Sequence, residues 1–339
     1  MIQRNFTLDA LKALGIFFVV LAHTTKYTEL HHYIYSFHMP LFFIVSGLLY
    51  HTKRDYMKRQ ALALLVPYFF FAFVTFAYWA LIETRVRPVD EGTSIAQQFV
   101  NIFYPMSGIP YPYTFDVVLW FLPCLFIVSA SYHYLRKLSL KTVIGGGYLF
   151  NTLVIIFFGL LADNVHLTLP FYLTTAFGAM AFYAFGGLAN SVKAGRLMVK
   201  EINECMLGSI ALVLVVGRWF FDSSNDMMCH SYEDGFWLFF ILASTMTASL
   251  YFIIKRLPER QFVSYIGSNT LIIMCLHEPL KRIVIQLYAF ALHQPALEIR
   301  HNVILTLLIT ITTIALLLPV VWGINRYLPW LIGKTKLKT

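Results

Sequence analysis

The feature that most constrains this chain is the recurrence of apolar stretches about twenty residues long, the length a helix needs to cross a bilayer at about 1.5 Å per residue. We read ten of them: 8–28, 34–50, 61–83, 116–134, 142–162, 170–190, 206–221, 235–254, 262–291 and 303–323. In hydrocarbon every backbone N–H and C=O must find a partner within the protein, so only helices and closed barrels cross. Barrel strands alternate apolar and polar residues. Here the aromatics, 17% of the chain, sit inside continuous apolar runs, so the spans are helices. With 58% hydrophobic and 13% charged residues over 339 positions, an ordinary soluble core is excluded. The expected fold is all-α: a polytopic integral membrane helical bundle of about ten transmembrane helices, one unit over 1–339 with no appended soluble domain.

The ninth run contains HEPLKR at 277–282. Pro279 removes a backbone donor there, so the run is either one kinked helix or a shorter span followed by a surface segment. The longest loop, 84–115, carries Pro88, Pro105, Pro110 and Pro112, which disfavour long regular structure. The first run follows MIQRNFTLDALKAL and is interrupted by Lys12; it reads as a membrane span rather than a cleaved signal peptide. No internal repeat is visible. Four cysteines (Cys124, Cys205, Cys229, Cys275) lie far apart with no CxxC, indicating neither a disulfide framework nor a metal site.

The formal charge of +9 belongs to the loops and is not a nucleic-acid signal. With the N-terminus inside, eighteen Lys and Arg fall on the cytoplasmic side, among them Lys53, Arg54, Lys58 and Arg59, against seven outside, including Lys26, Lys281, Arg282 and Arg300. The asymmetry predicts both termini inside.

Lys12 lies within a span, where a lysine costs about 3 kcal/mol even on insertion-derived scales. It needs a partner or a task. Asp9, three residues earlier, offers a structural ion pair. His23 lies eleven residues after Lys12, on the same helical face and about 16 Å along the axis. The second span supplies His38 near its outer end and Ser46-Gly47 near its inner end. Taken from the span midpoints, His23 and His38 fall at one depth, about 6–8 Å to the outer side. Asp116 and Trp120 open the fourth span, and His277 with Glu278 sits in the middle or outer part of the ninth. Each has an ordinary explanation taken singly: a helix N-cap for Asp116, an interfacial belt residue for Trp120, an interfacial histidine for His277. On the inner side HTKRDYMKRQ carries four cations, enough for a topology signal and also suited to a phosphorylated ligand.

These blocks resemble the membrane-bound acyltransferase family 3, which includes polysaccharide O-acetyltransferases and fucose 4-O-acetylase-like enzymes. LDALKALGIFFVVLAH resembles the family's opening pattern of a cation, ten residues and a histidine, satisfied by Lys12 and His23. FHMPLFFIVSGLLY resembles the next block. YMKRQALALLVPYF, with Lys58, Arg59, Pro67 and Tyr68, resembles a basic stretch leading to Pro-Tyr; LWFLPCLF around Trp120 and YIGSNTLIIMCLHEPL ending near His277 resemble two later ones. Lys12 departs from the frequent arginine, keeping the charge but losing bidentate phosphate recognition.

The resemblance implies O-acyl transfer at a cell inner (cytoplasmic) membrane from acetyl-coenzyme A to a glycan or lipid-linked saccharide, with membrane lipids as the other partner and no metal. Ester formation needs a base for the acceptor hydroxyl, a cradle for the donor phosphates and stabilisation of the oxyanion. His23 is the expected base, since imidazole titrates nearest physiological pH. His38 orients it, assists proton transfer or polarises the carbonyl. Lys12, Lys58, Arg59 and Ser46 are the candidate donor-binding residues, and Asp116, Trp120 and His277 the candidates on the acceptor side. A transporter or flippase of a sugar or lipid intermediate also places cations and histidines inside a bundle, and remains the alternative.

Overall fold

The computed structural model describes residues 5–52, 54–86, 94–105, 115–142, 147–191, 212–220 and 223–334. Residues 206–211 and 221 of the seventh run, the start of the fifth, Pro88, Pro110, Pro112, Cys205, Lys53, Arg87, Lys193, Arg196, Lys200, Lys336 and Lys338 lie outside the described residues.

Apart from one two-residue β pairing, the regular structure described is helical. The first helix, α1 (Phe6–Thr24), is capped by Asn5, whose side chain accepts from the Leu8 amide, and Asp9 in its first turn complements the helix dipole. α2 (Thr28–Tyr35) and α3 (His38–Leu48) follow. A continuous helical segment, α4 (Tyr56–Val86), contains two π-helical turns, at Ala61–Leu65 and Trp79–Glu83. Then come α5 (Ile95–Phe103), a 3₁₀ turn at Val117–Trp120 running into α6 (Phe121–Thr142), α7 (Gly147–Asn164) and α8 (Leu173–Ser191). A hairpin pairs Asn225–Asp226 with Ser231–Tyr232. The chain ends through α9 (Phe236–Ile254), α10 (Gln261–Gly267), α11 (Thr270–Leu292), α12 (Ala296–His301), α13 (Val303–Tyr327) and a 3₁₀ turn at Pro329–Ile332.

Five of the described helices are long and apolar enough to cross a membrane: α1, α4, the Val117–Leu138 segment, α9 and α13. The expected second span differs from the structure in a definite way. Residues 28–48 form two helices, because an unbroken helix would drive the Pro40 ring into the Ser36 carbonyl and leave that carbonyl without its i+4 donor. The chain breaks at Ser36–Phe37 instead, and Pro40 sits in the first turn of α3, where a missing N–H costs nothing. The ninth run resolves into short α10 and then α11, which continues unbroken through Pro279. The 84–115 loop holds a nine-residue helix, α5, started by Ser94, whose hydroxyl accepts from the Gln97 amide.

α1 is the hub of the bundle, packing against α3, α9, α10, α11 and α13; α8 is a second, against α3, α6, α7 and α9. The α3–α8 crossing is tight. A methyl group on Gly47 would run into the Tyr183 carbonyl, and one on Gly186 into the Ile44 carbonyl, so the two backbones meet across glycines. That approach fixes α3, which carries His38 at one end and Ser46 near the other.

Candidate active site

Two cavities open at opposite ends of α3. The first, of about 430 Å³, lies where α1 ends and α3 begins. His23, in the last turn of α1, lines it, and its ring makes no side-chain hydrogen bond among the described residues. His38, the first residue of α3, is buried and lines it too. Its Nδ1 lies 2.9 Å from the Ile34 carbonyl, which only accepts, so Nδ1 carries the proton and Nε2 keeps its lone pair. Tyr35 stands between the two histidines, its ring centre 6.4 Å from that of His23 and 4.8 Å from that of His38. Trp120 adds an aromatic wall.

The end of α1 is held by cations. Lys281 Nζ donates to the His23 carbonyl at 2.9 Å and to both Glu278 oxygens, and Arg300 donates to the His23 carbonyl at 3.1 Å and the Thr24 carbonyl at 2.8 Å. Positive charge at a helix C-terminus, where carbonyls lack intrahelical donors, is the favourable arrangement. Arg282 bridges Glu278 and Glu83, so the charges are paired rather than stranded in a low dielectric. Outside the spans, His31 stacks on Tyr35 at 3.9 Å; burial, with His32 and Lys26 beside it, pushes its pKa down to about 4. The hairpin brings Asp226 and Met228 to the same cavity, with Asp226 accepting from the Met228 and Cys229 amides. Burial pushes the Asp226 carboxyl above its ordinary range.

The second cavity, of about 670 Å³, is lined by Ser46, Lys58 and Arg59 together with Tyr50, Tyr56 and Tyr183. Lys58 and Arg59 are exposed, with no ion pair among the described residues. The Ser46 hydroxyl donates to the Phe42 carbonyl at 2.7 Å. His133 backs the tyrosines: Tyr56 stacks on it at 4.3 Å, and its Nδ1 is 2.9 Å from the Tyr50 hydroxyl.

Of the residues singled out from the sequence, the structure thus groups His23, His38 and Trp120 at one end and Ser46, Lys58 and Arg59 at the other. Lys12 joins neither group; its ammonium is 2.8 Å from Asp9. Asp116 is buried at the start of the 3₁₀ turn, where its side chain makes no capping bond. His277 is fully buried, one layer behind the first cavity, with its ring centre 5.5 Å from that of His23. The residues not foreseen in a site role are Lys281, Arg300, Tyr35, His31 and the tyrosines around Ser46. Lys281 left a usable signal, a lysine four residues after a histidine in an apolar run. Arg300 left none, since it reads as an ordinary loop cation.

Among known proteins, a family model described as "Acyltransferase domain", that of acyltransferase family 3, matches residues 5–325, nearly the whole chain. No curated protein and no solved structure matches.

Proposed function

The chain belongs to acyltransferase family 3, and from that premise we propose that it transfers an acyl group, acetyl in the first instance, from cytoplasmic acyl-coenzyme A to a hydroxyl of a cell-surface glycan or lipid-linked sugar. The proposed setting is the cell inner membrane, with both termini cytoplasmic.

The observation that carries this reading is the pair of cavities joined by one helix. His38 and Ser46 are eight residues apart on α3, about 12 Å along its axis. At the Ser46 end, Lys58 and Arg59, which make no ion pair among the described residues, suit phosphate groups, and at about 670 Å³ the cavity falls in the ordinary range of ligand sites. At the His38 end, two imidazoles, an indole and several cations suit a polyhydroxylated acceptor. The acyl thioester reaches from the second cavity toward the first. His23 takes the hydroxyl proton as the oxygen attacks the carbonyl carbon, and the carbonyl electron pair moves to oxygen. The positive field of Lys281, Arg282 and Arg300 favours that oxyanion. Collapse breaks the carbon–sulfur bond, and the thiolate recovers the proton from His23. His38, with Nε2 bare, accepts rather than donates and therefore assists the proton rather than polarising the carbonyl.

The test is acceptor-dependent release of free thiol from acetyl-coenzyme A by the purified protein. His23→Gln is expected to fold yet turn over at least about a hundredfold more slowly, the loss typical of a positioned base. Absence of thiol release, with a glycolipid still crossing the bilayer of reconstituted vesicles, identifies a flippase instead.

A further inference from the structure

His277 sits behind His23 on α11, and its hydrogen bonding determines which of its nitrogens is free. Nδ1 lies 2.7 Å from the Met274 carbonyl and 3.2 Å from that of Ile273. Carbonyls only accept, so Nδ1 carries the hydrogen and Nε2 bears the lone pair. That Nε2 is fully buried and has no hydrogen-bond partner among the described residues. A buried acceptor left unmade is costly, and such groups call for an explanation. The ring of His23 lies close by, at 5.5 Å between ring centres, and makes no side-chain hydrogen bond among the described residues. Two imidazoles whose nitrogens meet at hydrogen-bond distance have centres about 5 Å apart, so a small rotation of His23 closes the contact. Catalytic hydrogen bonds are commonly long before substrate binds and tighten in the complex.

Resting on the base role of His23 given above, we infer that His277 is its positioning residue, its Nε2 accepting the N–H of the His23 ring that faces away from the acceptor. The His23 nitrogen toward the cavity is then bare and ready to take a proton. After it takes the acceptor's proton, the imidazolium keeps the same N–H directed at His277; when the thiolate recovers that proton, the starting tautomer returns. His277 exchanges no proton in the cycle. The rest of α11 supports the arrangement: Lys281, one turn after His277, holds the His23 carbonyl, so one helix face fixes both the backbone and the ring of His23. The neutral acceptor places no negative charge behind the base. What it supplies is orientation and a single tautomer.

The experiment compares His277→Leu and His277→Gln with the parent and with His23→Gln, in purified protein of matched thermal stability. His277→Leu is expected to lower kcat about 10- to 100-fold, while KM for acetyl-coenzyme A and for acceptor changes less than about threefold, since the loss falls on the chemical step. His277→Gln, which retains an acceptor, is expected to recover much of kcat. The double variant His23→Gln/His277→Leu is expected to be no slower than His23→Gln alone, because a residue acting through His23 has nothing left to act on. A His277→Leu protein with parental kcat, or a double variant slower than His23→Gln by the full factor of His277→Leu, overturns the inference. If His23→Gln itself turns over at the parental rate, the base assignment fails first, a result distinguishable from failure of the positioning role alone.

Discussion

At Lys12 two demands meet on one charge. The sequence spacing to His23 points to a donor-binding cation, whereas the folded chain pairs Lys12 with Asp9 across less than one helical turn, with side-chain exposures of 22% and 10%. Breaking a pair that is mostly removed from water leaves an uncompensated charge, so loss of one partner costs more than loss of both. Lys12→Met is therefore expected to melt lower than Asp9→Asn/Lys12→Met, and the double variant to keep near-parental turnover. A well-folded double variant with a strongly raised KM for acetyl-coenzyme A returns Lys12 to the donor. His31 gives a second residue-scale expectation. Its folded pKa of about 4 lies below the ordinary 6.5, so the native state binds fewer protons than the unfolded chain between those values. Its contribution is full above pH 6.5 and is lost as pH falls toward 4. His31→Phe, which keeps the stack on Tyr35, is expected to flatten the acid side of the thermal-stability profile in that window; an unchanged slope refutes the assignment. His23, His38 and Trp120 were legible in the sequence because a polar or amphipathic residue in an apolar run stands out against its neighbours. Arg300 and Tyr35 were not, because nothing local distinguishes them and only the packing of α12 and α2 against the end of α1 gives them a role.

Prolines have opposite effects in two elements. Pro40 separates α2 from α3, whereas Pro279 lies within an unbroken α11. In the first case the break makes His38 the first residue of a new helix and turns its Nδ1 to the Ile34 carbonyl. In the second, continuity keeps His277 and Glu278 on one turn and Lys281 on the next, where it reaches the His23 carbonyl. A proline in a sequence announces a perturbation, but neighbouring packing decides between a break and a tolerated defect, which is why the second span was read as one helix. The α3–α8 crossing was equally hidden. Gly47 was visible in a motif, yet the reason for it, contact with the Tyr183 carbonyl, depends on a helix more than a hundred residues away. Gly47→Ala is expected to destabilise the protein by about 1–3 kcal/mol by forcing the backbones apart. Gly323→Ala, where an added methyl meets nothing within 4 Å, is the control expected to leave the melting temperature unchanged. Equal melting temperatures for both variants argue against a tight crossing.

For the whole molecule, three helices that fall short of a simple span still contribute to the two cavities. α11 carries Glu278, Lys281 and Arg282 inward, α8 spends hydropathy on glycines at the crossing, and α3 is shortened by Pro40. An apolar-length criterion therefore recognises α1, α4, α9 and α13 readily and these three poorly, although α3 joins the two cavities, α11 lines the first and α8 lines the second. Lys26, Lys281, Arg282 and Arg300 line one cavity, while Lys58, Arg59 and Gly333 line the other. The proposed direction of transfer requires the Lys58 cavity to face the cytoplasm, where acyl-coenzyme A is made and kept. With Cys205 and Cys229 replaced by alanine, and Cys124 and Cys275 protected by burial, single cysteines can report each end. Glu298 is exposed beside Arg300, and Glu259 is exposed among the opposite cations Lys255, Arg256 and Arg260. Glu298→Cys is expected to react with an impermeant maleimide on intact cells, and Glu259→Cys only after the membrane is opened. The reverse pattern puts Lys58 and Arg59 outside, away from the donor, and takes down the donor-side and acceptor-side assignment together.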